Sequence, residues 1–276
     1  METVNLGQSQ LESSRLVYGC MRIVGDNSEA ARGRGREALR TAIEEGFTHF
    51  DHADIYAGGE SEVLFAEVLK EMPGMRDEII ITSKCGIRGA NQPRQGDPAR
   101  YDFSNEHIVK SVEGILTRLG IDRLDLLLLH RPDYLCNAGE VSETFQGLHD
   151  SGKVLHFGVS NFRPSHVSLL QSYCSMPLLV NQVEINIHNI DALENGTLDQ
   201  CQELNITPQA WCPIGGVAYP AWGNTFSGED EGRIKAEFEV QAKKYETEDW
   251  LIMLAWLLKH PAMILPIIGT TTQARI

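Results

Sequence analysis

RLDLLLLH, residues 123–130, is the stretch on which the reading of the fold turns. Five of its eight residues are leucine, and so short and apolar a run closed by a histidine reads as a strand buried on both faces. Strands of that kind belong to parallel sheets covered by helices. Seven more segments share the character: RLVYGC (15–20), FTHFDH (47–52), EIIITSK (78–84), VLHFGVS (154–160), LLVNQVE (178–184), ITPQAWC (206–212) and AMILPIIG (262–269). Between them, residues 36–46, 60–70, 105–120, 138–152, 164–173, 192–205 and 246–260 space their apolar positions near the helical period, and several of these stretches stop at glycine. Strict alternation implies a parallel sheet with right-handed crossovers, and eight units predict an α/β fold closed as a (β/α)₈ TIM barrel, one domain over 1–276.

Two connections exceed the usual few residues, 85–104 after the third strand and 213–230 after the seventh. Both are rich in Gly and Pro and partly aromatic, and both fall where the C-terminal ends of the strands open, so they are read as binding loops. The formal charge of −14 excludes a nucleic-acid or anionic-membrane surface, since either needs a basic face. With 42% hydrophobic residues the chain can bury a large core, while its longest apolar run, 251–258, is too short to span a bilayer. Six cysteines without CxxC spacing are read as reduced thiols in a cytoplasm.

In such a barrel all C-terminal strand ends meet on one face, where active sites sit. Asp51, Lys84 and His130 close three of the strand segments, and Tyr56 lies five residues beyond Asp51. A tyrosine of ordinary pKa, about 10, transfers protons poorly near neutrality, and a lysine ammonium close by stabilises its phenolate and lowers that pKa. Asp51 can hold Lys84 charged, and the His130 imidazole can donate to a substrate oxygen. Such a set suits a reaction in which a carbonyl oxygen gains a proton while its carbon gains a hydride. Each residue alone has an ordinary structural reading as a helix cap, a surface charge or a core histidine. Their joint register with the open face is what carries the functional reading.

Two competing motifs carry less. GRGREA (33–38) satisfies a dinucleotide-binding pattern, with Asp54 some twenty residues on, but no strand precedes Gly33, and its two arginines with Arg32 before them make the segment read as a solvated loop leading into a helix. His49, Asp51, His52 and Asp54 crowd one stretch as metal ligands would, yet strand alternation sends His49 and Asp51 to one face and His52 to the other. No metal is expected.

FDHADIY (50–56), ITSKCG (81–86), LDLLLLHRPD (124–133), GKVLHFGVSNF (152–162) and VNQVEI (180–185) resemble the aldo-keto reductase family, in order and over nearly the whole chain. The resemblance implies reduction of a small aldehyde or ketone by NADPH, in preference to NADH, with Tyr56 as proton donor and Asp51, Lys84 and His130 completing a tetrad. It implies cofactor contacts from Met21, Asp51, Ser160, Asn161 and Gln182, with Trp211 stacked on the nicotinamide ring and Cys212 and Ile214 near the pyrophosphate. Gly269, Thr270 and Arg275 match the segment that holds the adenosine 2′-phosphate, where a guanidinium suits a phosphate, although Gly269 stands where many members carry a lysine. The chain also stops at Ile276, where the family continues into an eighth helix, so that helix is expected to be absent and the last strand to lack its outer cover. A nucleotide-binding regulatory subunit, as in relatives that serve a membrane channel, is the alternative function. A metal-dependent barrel hydrolase is the third.

Overall fold

The computed structural model describes residues 1–215 and 228–276. Most of the predicted 213–230 loop lies outside the described residues. Eight parallel strands close a barrel: β3 (Val17–Gly19), β4 (His49–Asp51), β5 (Ile80–Cys85), β8 (Leu124–Leu129), β9 (Val154–Ser160), β10 (Leu178–Glu184), β11 (Thr207–Trp211) and β12 (Leu265–Ile268). Each falls on a segment predicted as a strand: β9 and β10 match it, β5 starts two residues later and runs one residue past it to Cys85, and the rest are two to four residues shorter. Before the barrel, β1 (Thr3–Asn5) pairs antiparallel with β2 (Glu12–Ser14), and within the 85–104 connection β6 (Ile87–Arg88) pairs with β7 (Arg100–Tyr101).

Side-chain parity along the strands explains both the core and the site. In β8, Leu126 and Leu128 join Val17, Ile80, Val180 and Leu265 in the cluster that fills the barrel, whereas Leu127 and Leu129 join the larger cluster beneath the helices. Alternate residues therefore continue from the inner cluster to the mouth: Ile80 to Lys84, Val180 to Gln182, and Leu128 to His130. The outer layer is built from α1 (Glu29–Glu44), α2 (Glu60–Glu71), α3 (Met75–Glu78), α4 (Asn105–Leu119), α5 (Ala138–Asp150), α6 (Pro164–Tyr173), α7 (Asp191–Glu194), α8 (Thr197–Leu204), α9 (Gly228–Tyr245) and α10 (Asp249–Leu258). Side-chain oxygens of Ser28, Ser104 and Asn137 cap α1, α4 and α5 by accepting backbone N–H groups of the first turn.

Three readings need correction. GRGREA is helix rather than a solvated loop: α1 begins at Glu29, Arg32 pairs with Glu60 and Glu67 of α2, and Arg36 pairs with Glu29 and Glu67. Its glycine is required by packing, because a Cβ at Gly35 would stand 1.9 Å from the Ile23 carbonyl oxygen. The helix predicted over 192–205 is two, α7 and α8, parted by Gly196 at φ 83°. Residues 228–245 form a helix that the apolar period did not reveal, since none of its residues is buried. After β12 the chain makes a 3₁₀ turn over Gln273–Arg275, where Gln273 Nε2 donates to Thr41 Oγ1 of α1 at 3.2 Å and Ile276 packs on the main core.

Candidate active site

Lys84 organises the mouth. Its side chain is fully buried on β5, and its ammonium donates to Asp51 Oδ2 at 2.7 Å, the His52 carbonyl oxygen at 2.8 Å and Tyr56 Oη at 3.0 Å. An ammonium has three hydrogens, so its donor capacity is filled. Burial disfavours the charge, but Asp51 and the Tyr56 phenol outweigh it and hold the lysine pKa above its ordinary value. Tyr56 follows β4 in a short turn over Tyr56–Gly59, in which Ala57 and Gly58 both have positive φ. That kink swings the phenol back over Lys84.

The Tyr56 pKa departs from the sequence-level expectation. Burial raises it above the ordinary phenol value, and the Lys84 cation lowers it by less than burial raises it. Tyr56 is therefore a protonated phenol at neutral pH, with the cation placed to stabilise any phenolate that forms. His130 stands edge-on to it with ring centroids 6.0 Å apart. Burial, then Lys84 and Arg131, push its pKa well below the usual imidazole range, so the ring is neutral. The buried His130 Nδ1 has no hydrogen-bond partner among the described residues.

A second set of polar groups lines the next strand ends. Ser160 Oγ donates to the Gln182 carbonyl oxygen at 2.8 Å, and Asn161 Nδ2 donates to Ser160 Oγ at 2.8 Å and to the His130 carbonyl oxygen at 3.1 Å. Trp211 Nε1 donates to Asn161 Oδ1 at 3.0 Å, which fixes the half-buried indole at the mouth. Asn161 and Cys212 both take left-handed backbone conformations, φ 61° and 50°, directly after β9 and β11. Met21 lies in the 3₁₀ turn after β3, and Ile214 follows Cys212; both are half-buried. Gly269 lies against the first strand, where a Cβ would come 3.2 Å from the Gly19 carbonyl oxygen. Thr270 accepts from Tyr18 Oη through its carbonyl oxygen at 2.7 Å. Arg275 is exposed and makes no ion pair among the described residues.

Two contributors escaped the sequence reading. Gln182 Nε2 donates to Asp51 Oδ1 at 2.8 Å and to Gln209 Oε1 at 2.9 Å, so buried Gln209 extends the chain of contacts to Gln182, Asp51, Lys84 and Tyr56. A glutamine inside the apolar ITPQAWC, two residues before Trp211, was the available signal. Arg131 lies 5.3 Å over the Trp211 ring, a cation placed on the face of the indole. Of the crowded acid and histidine stretch, His49 is held through both ring nitrogens by Ser13 and Thr82, and His52 packs edge-on against Phe65.

The sequence model described as the Aldo/keto reductase family matches residues 15–276. The chain belongs to the aldo/keto reductase family. It is 40% identical over 268 residues to a 6-dehydroglucose reductase of Agrobacterium fabrum, covering 97% of this chain and 88% of that protein. Against Oxidoreductase YdhF of Escherichia coli the identity is 39% over 282 residues, covering 100% and 90%. Among solved structures, a thermostable aldo-keto reductase, Tm1743, in complex with the inhibitor epalrestat superposes with a TM-score of 0.82 at 27% identity, covering 100% of this chain and 92% of the other. This aldo-keto reductase is thus an oxidoreductase whose strand ends bring Asp51, Tyr56, Lys84 and His130 into one mouth.

Proposed function

We propose that this enzyme reduces the carbonyl of a small aldehyde or ketone with NADPH, Tyr56 giving the proton to the carbonyl oxygen. The supporting observation is the 3.0 Å contact between Lys84 Nζ and Tyr56 Oη in a buried mouth where Asp51 holds the ammonium at 2.7 Å. When bound, the reduced dinucleotide supplies the hydride. The donor set fits such a cofactor: a fixed indole face at Trp211, a hydroxyl at Ser160 and amides at Asn161 and Gln182 that could meet a carboxamide. Met21, Asp51, Cys212 and Ile214 would line the rest, with Gly269, Thr270 and exposed Arg275 toward the 2′-phosphate.

Tyr56, kept protonated by burial, donates its proton to the developing alkoxide, and Lys84 stabilises the phenolate left behind. Asp51, itself held by Gln182, keeps the ammonium in place. Neutral His130 orients the carbonyl by donating a hydrogen bond, which it can do without protonating the substrate itself. A regulatory subunit without turnover would need no such relay.

The test is NADPH consumption at 340 nm with a panel of aldehydes, beginning with 6-dehydroglucose after the Agrobacterium relative's name. Tyr56→Phe should bind NADPH as the wild type does and lose carbonyl reduction by a factor of about 10² to 10⁴, the contribution of a positioned acid. Turnover within a few-fold of wild type would remove Tyr56 from the reaction.

A further inference from the structure

Arg131 follows His130 directly on the loop that leaves β8. Its guanidinium lies 5.3 Å over the Trp211 ring, and that indole is itself fixed by the 3.0 Å bond from Nε1 to Asn161 Oδ1. The backbone beside it is equally held: the His130 N–H donates to the Cys85 carbonyl oxygen at 2.9 Å, and the His130 carbonyl oxygen accepts from Asn161 Nδ2 at 3.1 Å. A cation is therefore pinned at the mouth beside the imidazole of the tetrad, close enough that its charge helps to hold His130 neutral.

This cation has no anion. Half-buried Arg131 makes neither an ion pair nor a hydrogen bond among the described residues. Carboxylates of the neighbouring strand ends and loops are engaged elsewhere: Asp51 accepts from Lys84 and Gln182, Asp133 from the N–H groups of Phe103 and Leu135, and Glu184 from Asn186. Residues 216–227 contain no Asp or Glu, so that stretch holds no carboxylate to answer it. Arg34, Arg94 and Arg163 also lack an ion pair among the described residues, yet all three are exposed, as solvated arginines usually are.

We propose that Arg131 is the subsite for a carboxylate carried by the substrate, so that the enzyme reduces aldehydes or ketones bearing a carboxylate in preference to uncharged ones. The inference deepens the proposed carbonyl reduction and rests on it. A guanidinium presents paired N–H donors that match the two oxygens of a carboxylate. It can rest on an aromatic face and still donate in its own plane, so Trp211 and the carboxylate do not compete for it. On a molecule of charge −14 an anion gains affinity only where a cation is fixed locally, and one arginine matches the single charge of a carboxylate.

The test compares three acids, each with its methyl ester: 3-carboxybenzaldehyde, 4-carboxybenzaldehyde and succinic semialdehyde, which set the carboxylate at different distances from the carbonyl. In NADPH consumption, kcat/KM should favour the acid at least about ten-fold in one pair or more, and Arg131→Met should cut that acid-to-ester ratio roughly ten- to a hundred-fold, the loss of a charge-assisted contact. Arg131→Lys, which keeps the charge without the paired donors, should retain part of the ratio. Any effect of a variant on Tyr56, His130 or Trp211 falls on both members of a pair and divides out. Binding is read separately by calorimetry, with NADPH-loaded protein and the two benzylic alcohol products, a mixture that cannot turn over. Wild type should bind one acid alcohol at least about ten-fold tighter than its ester, and Arg131→Met should lose that preference. Reduction with an acid-to-ester ratio that Arg131→Met leaves unchanged overturns the subsite and leaves carbonyl reduction standing. No reduction of any aldehyde, with the binding preference present in wild type and lost in Arg131→Met, overturns the proposed reduction and supports the anion site. No preference for any acid in either measurement overturns the subsite, as does an equal loss for acid and ester, which would make Arg131 a support for Trp211 alone.

Discussion

Each ammonium hydrogen of Lys84 has a partner, and one of those partners is the group that would do the chemistry. Lys84→Met removes the cation beside Tyr56, so the phenol pKa, already raised by burial, rises further. Single-turnover reduction at pH 7 with saturating NADPH should fall about 10² to 10⁴-fold, with the NADPH dissociation constant changed less than about ten-fold. If NADPH affinity were lost in the same proportion, Lys84 would serve cofactor binding rather than proton transfer. The proposed preference for NADPH would rest on a different residue. Arg275 is exposed without an ion pair among the described residues, so a 2′-phosphate would be a new partner and not a competitor for an old one. A charge-assisted hydrogen bond there should contribute about 1.5–3 kcal/mol, so Arg275→Ala should raise the NADPH dissociation constant roughly ten- to a hundred-fold and leave NADH nearly unchanged. Equal losses for the two cofactors would point to damage at the chain end, and no loss for either would dismiss Arg275 from the phosphate site.

Among the elements, α1 shows how far residue type alone can mislead. Its two interior glycines face opposite circumstances: a Cβ at Gly33 meets nothing within 4 Å, whereas at Gly35 it collides with the Ile23 carbonyl. Gly33→Ala should therefore stabilise the protein by up to about 1 kcal/mol through helix propensity. Gly35→Ala should destabilise it by about 1–3 kcal/mol, because the backbone must move to admit a methyl group. Urea unfolding of the two variants decides it, and like signs would refute the packing argument. The same helix marks where the sequence stopped being legible. The barrel strands could be read because burial on both faces leaves unbroken apolar runs, and the tetrad because its residues close or follow such runs. The first turns of α1 could not, since the arginines that suggested solvent are answered by Glu60 and Glu67 from α2, a contact known only once the helices are side by side. For α9 there was no period to read, as none of its residues is buried. Gln209 was hidden for a different reason, being a polar residue inside a buried strand whose partner, Gln182, comes from the neighbouring strand.

Over the whole molecule, the buried titratable groups fix how stability depends on pH. Burial, with the Lys84 cation secondary, lowers the pKa of His49 and of His52 from 6.5 to about 3, and that of His130 well below its ordinary value. Between about 6.5 and 3 the unfolded chain binds protons at these sites that the folded protein refuses, so unfolding becomes easier as pH falls through that window. Asp54 acts with the opposite sign. Burial raises its pKa from 3.8 to about 7, so the folded protein binds the extra proton, and stability from this site is lost as pH rises from 3.8 through about 7. Burial also lowers the pKa of His107 and His156 and raises that of Glu62, so five histidines against two carboxylates predict that acid destabilises the protein overall. Asp54→Asn isolates the opposing contribution, because an amide keeps the shape of the protonated carboxyl and cannot ionise. Urea midpoints measured from pH 5 to pH 8 should show the variant gaining on wild type as pH rises toward about 7, with the gap level beyond that. A gap independent of pH would mean that Asp54 is ionised in the folded protein throughout, held by Arg118 and Ser111 against its burial.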